Sequence, residues 1–417
     1  MKINLPISPG ARHVVTALQE SGYEAYIVGG AIRDLLLERT PKDFDIGCSA
    51  TPEEVRQVFG RRSARIIGKR FRLTHVTFKG ELFEVSTFRK APAETGSAPA
   101  KESGDTEEMA ENLILSDNSW GTAVEDAWRR DFTVNALFYD PVNGELYDHT
   151  GMGLADIKSR TVRAIGEAAL RFEEDPVRML RALKLVGQFD FTLDSATENA
   201  LFARLELLKL ASPSRLALEL EKIFGSCCGD RHLRAFHDYG LLEYFLPELN
   251  HVWDTPVMDR ALELLYERNC RLDEGRYRNS VSLAMACVAL PFVEEALGIA
   301  PGDPVPSRKC GGAANGVLEK IFLPLHMMIR LNLSAEKVLT LQAIFDQGKC
   351  PRELYTSRSY PNARELKIIR AAVDGGDPEQ TDREWPLPLA EHAPRSKNSN
   401  GKPRRRRSRK PKETPQE

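Results

Sequence analysis

Up to about residue 165, short apolar runs alternate with helical stretches; beyond Gly166, apolar residues recur at helical spacing almost to the end. Val14, Val15 and Leu18 predict a helix over residues 9–21. It leads into the apolar run Tyr26–Val28, which stops at Gly29-Gly30. A helical stretch through Leu35, Leu36 and Leu37 follows, then a second short run carrying Asp43 and Asp45. Residues 26–46 thus read as strand, tight turn, helix, strand. Thr51-Pro52-Glu53-Glu54 has an N-cap, a proline at the first helical position and acid in the first turn, starting a helix to about Phe59. Strands are expected over Ala64–Ile67, Leu73–Phe78 and Leu82–Phe88. In the last, Leu82, Glu84 and Ser86 share one face while Phe83, Val85 and Thr87 share the other. AVEDAWRRDFTVNALFYD reads as a helix entering a strand, with a turn at 141–144 and a hairpin return over 145–148. A short helix over 153–160 and a strand over 161–165 close this part.

In RFEEDPVRMLRALKLVGQF, Met179, Leu180, Leu183 and Val186 form a core face. Asp175 reads as an N-cap before Pro176, and Glu174 stands one turn from Arg178. SPSRLALELEKIF is a second capped amphipathic helix, with Leu216, Leu220, Ile223 and Phe224 inward and Arg215 and Glu219 on a neighbouring face. Further helices are expected over 231–245, 258–269, 318–347 and 364–372. Residues 301–316, rich in Gly, Pro and Asn, are expected to link helical layers, and the aperiodic 90–119 stretch to be a long mobile loop. These patterns separate an α/β part (1–165) from a helical part (166–376) and a tail expected to be disordered (377–417).

Composition adds an asymmetry. The 417 residues are 42% hydrophobic and 28% charged, ordinary for a soluble protein of two or three domains. The formal charge of −2 conceals a basic end: residues 395–417 hold ten Lys/Arg and two Asp/Glu, so the remainder carries 48 basic and 58 acidic residues. Such a segment, with Arg404, Arg405, Arg406 and Arg407 in a row, suits RNA or DNA, or serves only as a solubilising tail. Seven cysteines without C-x-x-C spacing support neither a zinc module nor a disulfide framework. A start without a basic region and long apolar run, and no stretch of about 18 apolar residues, lead to the expectation of a cytoplasmic protein with no membrane partner.

The chemistry centres on residues 26–46. On an extended strand Asp43 and Asp45 leave one face while Phe44 points to the other and can anchor in a core. Two such carboxylates suit a divalent cation that also holds substrate phosphates, and a glycine turn lets backbone N–H groups approach phosphate oxygens. Alone, the pair could equally end a polar strand. Glu84 is either a charge on a solvated sheet face or a third carboxylate. His75, in an apolar strand, reads as a packing histidine, and His237-Asp238 as helix surface. No G-x-x-x-x-G-K-[ST] element occurs, so a P-loop ATPase is not supported.

GGAIRDLLLERTPKDFDI resembles the signature of the nucleotidyltransferases that comprise tRNA CCA-adding enzymes and bacterial poly(A) polymerases, and RRDFTVNAL is a second match. IIGKRFRLTHV, residues 66–76, is similar to the stretch that tells the poly(A) polymerases from their CCA-adding relatives; it offers Lys69, Arg70 and Arg72 to RNA. The resemblance implies an α/β head with a mixed sheet and helices (1–165) on an all-α neck (166–228) and an all-α body (229–376), and template-independent transfer of AMP from ATP to RNA 3′ ends. It further implies Asp43 and Asp45 as ligands of two Mg²⁺ ions with Glu84 assisting, and Asp131 among the catalytic residues, fixing the ribose side or orienting the arginines together with Asn135. Gly29, Gly30 and Arg33 would hold the triphosphate, and Arg129, Arg130 and Asn135 the nucleotide. Asp175 and Arg178 would read the base edge from the neck, with Arg181 reaching phosphate, and the body would bind RNA. CCA addition is the alternative within the family, and an RNA-binding protein with an inactive head the alternative outside it. One departure stands out: Glu38 occupies the place where the family usually has glycine after the leucines.

Overall fold

The computed structural model describes residues 1–68, 72–90, 120–322, 329–348, 352–355 and 357–387. Lys69, Arg70, nearly all of the expected 90–119 loop and the basic segment with Arg404 to Arg407 lie outside the described residues.

Seven strands form one mixed sheet: β1 (Ala25–Val28), β2 (Asp45–Cys48), β3 (Ala64–Ile67), β4 (Leu73–Phe78), β5 (Glu81–Thr87), β6 (Leu137–Asp140) and β7 (Glu145–Asp148). Their spatial order is β3-β4-β5-β2-β1-β6-β7, with only β2 and β5 parallel among the paired neighbours. This is the α/β head with mixed sheet expected from the sequence. Helix Pro9–Glu20 lays Val14, Val15 and Leu18 on the sheet, and Ser8 caps it by accepting from Ala11 N. Thr51 and Glu54 complete a reciprocal capping box at Pro52–Ser63, and the non-helical Gly60 breaks that helix where the sequence suggested it would end. The 161–165 stretch departs from expectation. Only Thr161–Val162 is strand, and it pairs in parallel with Thr192–Leu193 beyond the head, not with the large sheet.

Beyond residue 165 the described chain is almost wholly helical. Val177–Phe189 buries Met179, Leu180 and Leu183, and Val186 packs half-buried against the same core. A Cβ on its Gly187 would meet Arg231 O at 2.7 Å, so this helix and Gly229–Asp238 touch backbone to backbone. Pro213–Phe224 buries Leu216, Leu220, Ile223 and Phe224 as expected. The body surrounds Val281–Leu297, a helix apolar on nearly all sides and buried for that reason. Three expectations need correction. The helix over 231–245 is interrupted after Asp238, because Gly240 takes a φ of 71° before Leu242–Phe245. The 301–316 linker is largely helix, Ser307–Phe322: Cys310, Ala314, Leu318 and Ile321 fall on one buried face, while Gly312 and Gly316 have nothing within 4 Å and cost no packing. The disordered tail begins too early, since Asp377 caps a helix over Pro378–Glu384 and Trp385 packs on Phe345 with ring centroids 4.7 Å apart.

Candidate active site

Between the sheet and the neck lies a cleft of about 440 Å³ lined by Gly29, Gly30, Arg33, Asp45, Glu84, Arg129, Arg130, Asp131, Asn135, Asp175, Arg178 and Arg181, with Val28, Leu73 and Ser86 completing the wall. Residues spread over 150 positions of sequence meet there. Asp43 and Phe44 precede β2, which starts only at Asp45, so the strand face expected to carry both aspartates holds Asp45 alone; Asp43 is exposed and is not part of the cleft lining, and Phe44 packs half-buried against the core. Asp45 begins β2 beside Glu84 of β5: the parallel register pairs Ile46 with Val85 and so sets 45 level with 84. Asp45's side chain still meets solvent, yet its pKa rises to about 6, first because the cleft strips hydration, then because Asp43 and Glu84 repel a further negative charge; Arg130 opposes the rise. Surplus carboxylate charge of this kind fits a bound divalent cation. Among the described residues, however, no three acidic, histidine or cysteine side chains converge closely enough to form a cation site by themselves. Any ion here takes part of its oxygen shell from a ligand, as Mg²⁺ at phosphate sites does.

Gly29 has a φ of 78°, and a Cβ on it would come within 3.1 Å of Arg130 Nη1, so both the turn and the guanidinium call for glycine. Arg33 is nearly buried: it donates to Asp34 Oδ1 through Nε and Nη2 at 2.9 and 2.6 Å and to Asn135 Oδ1 through Nη1 at 2.6 Å, and it stacks 4.4 Å over Phe189 from the neck. The paired arginines are set by Asp126, which accepts from Arg129 Nε at 3.0 Å and from Arg130 Nε and Nη2 at 3.2 and 2.9 Å. Burial opposes the charge on Asp126, but Arg130 and Arg129 outweigh it and hold the pKa below the ordinary carboxylate range. Asp131 is also buried and also held low, because Arg181 at 2.7 Å, Phe132 N and Asn135 outweigh its desolvation. Its carboxylate therefore reaches the cleft already engaged.

The neck closes the site. Arg171 donates through Nη2 to Arg129 O at 2.6 Å and Arg130 O at 2.8 Å, latching the helical part to the arginine pair. Asp175 ends helix Ala168–Glu174, and Pro176 rather than Asp175 takes the N-cap position of Val177–Phe189; the Asp175 carboxylate accepts from Val177 N at 3.2 Å and from Arg215 Nη2 at 2.5 Å, with Arg215 as its buttress. Arg178 is anchored by Nη1, which donates to Arg171 O and Glu174 Oε2, each at 2.8 Å. Asp175 and Arg178 thus face one cleft from separate supports. Glu219, placed on the same helix face as Arg215 by the sequence pattern, instead binds Lys184 and Lys222.

Other residues fall elsewhere. Arg72, expected at RNA, is paired with Glu53. His75 is not a packing histidine: it lies directly across from Glu84 in the β4–β5 ladder, with Nε2 3.4 Å from Oε1. Glu38 adopts a φ of 57°, the left-handed conformation that glycine would take without strain. Sequence reasoning passed over Asp126 and Arg171. The spacing of Asp126 three and four residues before the arginines was a usable signal; nothing local marks Arg171.

Residues 25–163 match the family model of the poly(A) polymerase head domain, and 190–252 match that described as the probable RNA and SrmB-binding site of polymerase A. The chain is 41% identical to poly(A) polymerase I of Haemophilus influenzae over 393 residues, 91% of this chain and 84% of that protein. It is 33% identical to poly(A) polymerase I of Salmonella typhi, over 98% of this chain and 90% of that one. Likeness to the CCA-adding enzyme of Lactobacillus johnsonii, at 38%, spans only 58% of the chain and 57% of that enzyme. Among solved structures, the Bacillus stearothermophilus CCA-adding enzyme in complex with CTP superimposes with a TM-score of 0.60 at 28% identity, covering 91% of this chain and 83% of that one. With the carboxylates, the arginine pair and the neck helix gathered in one cleft, these relations show that the chain belongs to the bacterial poly(A) polymerases, nucleotidyltransferases with an α/β head and a helical remainder.

Proposed function

We propose that this enzyme transfers AMP from ATP to the 3′ hydroxyl of RNA without a template, releasing pyrophosphate. The observation that carries the reading is the meeting of Asp45 and Glu84 from the sheet with Asp175 and Arg178 from the neck in one cleft. Two Mg²⁺ ions bound at Asp43 and Asp45 would supply activation of the RNA hydroxyl and neutralisation of the triphosphate. The chain's own residues do the positioning. The Gly29-Gly30 turn lets backbone N–H groups meet phosphate, and Arg33, pinned by Asp34 and Asn135, adds fixed positive charge beside it. Arg129 and Arg130, splayed by Asp126, face the nucleotide, while Asp131 holds Arg181 and Asn135 in place. Glu84 stands beside Asp45 where the attacking hydroxyl would sit.

For base choice, Asp175 accepts from an exocyclic amine and Arg178 donates to the neighbouring ring nitrogen. Adenine presents that pair; guanine and uracil present it reversed. Cytosine shares adenine's pattern, so the preference for ATP over CTP rests on the shape of the cleft as well as on these two groups. CCA addition is the second reading, favoured by the structural likeness to the Bacillus stearothermophilus enzyme. Incorporation with ATP alone, compared with ATP plus CTP, on a generic RNA and on tRNA lacking its terminal residues separates the two: long A-tails on generic RNA are the expected result.

A further inference from the structure

A polar row crosses the cleft face of the sheet. Arg65 of β3 is opposite His75 of β4, His75 is opposite Glu84 of β5, and Glu84 is level with Asp45 of β2. Residues opposite one another in adjacent strands project from the same face. Leu73 and Ser86, two residues from His75 and Glu84, both line the cleft and identify which face it is. His75 is the one ion-pair partner of the Glu84 carboxylate among the described residues. Arg65 is exposed, and no described ion pair engages it.

The row has a direction. The glycine turn and Arg33 lie on the β1 side of Asp45, whereas the row runs the other way, through β5 and β4 to the sheet edge at β3. Phosphoryl transfer proceeds with attacking and leaving oxygens roughly in line on opposite sides of the phosphorus. With pyrophosphate on the β1 side, the RNA 3′ end arrives over β5, β4 and β3. When its terminal hydroxyl meets Glu84 and Asp45, its last phosphodiester lies farther out along the same row, where a cation stands.

Resting on the adenylyl-transfer reading above, we propose that Arg65 and His75 form the primer-side subsite: Arg65 binds the last phosphodiester of the RNA, and His75 is a positioning residue that fixes the Glu84 carboxylate beneath the terminal ribose. Arg65 lies at the sheet edge, so its substitution spares the core.

The test uses two RNA primers, one natural and one with an uncharged methylphosphonate at the last linkage, with the full-length enzyme and ATP. For the wild type, the methylphosphonate raises the KM for RNA about tenfold, the loss of one charge-assisted contact, and leaves the KM for ATP unchanged. Arg65→Gln raises the KM for the natural primer by the same factor and no longer distinguishes the two primers. An Arg65→Gln enzyme that discriminates as strongly as the wild type would overturn the phosphate contact. His75→Ala lowers kcat with little change in either KM, and His75→Gln, which keeps a donor, restores most of it. Equal kcat for His75→Ala and wild type, or no rescue by glutamine at an unchanged unfolding midpoint, overturns the positioning role. A wild type that extends neither primer with ATP strikes instead at the adenylyl-transfer reading.

Discussion

At the scale of single residues, the site depends on groups that touch no substrate. Asp126 is buried and spreads two guanidinium groups that would otherwise repel each other. Asp126→Asn keeps the shape and removes the charge, so the KM for ATP should rise about tenfold, with a smaller fall in kcat, in steady-state incorporation. An unchanged KM would show that the arginines hold their places without it. That Asp45, Arg129 and Arg130 line one cleft was legible in the sequence because their motifs are local, whereas Asp43, singled out by the same motif, is not part of that lining. Asp126 was nearly legible from its three- and four-residue offsets. Arg171 and the approach of His75 to Glu84 were not, because the first depends on how the neck docks and the second on strand register, and neither leaves a mark in adjacent residues.

At the scale of elements, helix Gly229–Asp238 carries an acid-sensitive group into the core. His232 is 1% exposed, and burial pushes its pKa down to about 3, with Lys184 and Arg231 adding to the fall. Its folded pKa lies below its unfolded one, so the unfolded state takes up more protons between the two values. The stability it contributes is complete above about pH 6.5 and is lost as pH falls through that window. Denaturant unfolding should show about 3 kcal/mol lost by pH ~4.5 through this group, with partly buried His149 acting in the same direction. His232→Leu should flatten that limb; an unaltered slope would assign the acid lability elsewhere. Strands and helices with strong periods were readable, as Val14, Val15 and Leu18 or the Thr51–Glu54 box illustrate. The helix Ser307–Phe322 was hidden because Gly312 and Gly316 on its open side resemble a linker, while its buried face counts only five residues. The helix after Asp377 was hidden for a related reason: it is polar, short and held by Trp385 at its end.

At the scale of the whole molecule, buried arginines bind distant helices into one body. Arg260 donates to Glu294 at 2.8 Å and to Asp374 at 2.5 Å, joining helices Pro256–Asp273 and Val281–Leu297 to the end of Tyr360–Val373. Removing Arg260 strands the Glu294 carboxylate in a dry interior, so Arg260→Met should cost about 3 to 5 kcal/mol in unfolding free energy. A near-neutral change would mean that the packing, not the ion pairs, holds these helices. If the basic segment 395–417 meets RNA, its charge should show in the salt dependence of binding. Deleting residues 395–417 should reduce the log-log salt slope of RNA binding by up to about 7 if all ten cations meet single-strand phosphates; an unchanged slope would remove the segment from RNA contact. The meeting of the carboxylate-bearing sheet and the neck helix in one cleft makes an A-tail the expected product. The most direct measurement is Mg²⁺-dependent extension of an unstructured RNA by the wild type and by Asp45→Asn, with ATP alone and with ATP plus CTP. Long A-tails from ATP alone with the wild type, and none from a folded Asp45→Asn enzyme, are the predicted result; extension that needs CTP and stops after a few nucleotides, or undiminished tailing by Asp45→Asn, would contradict it.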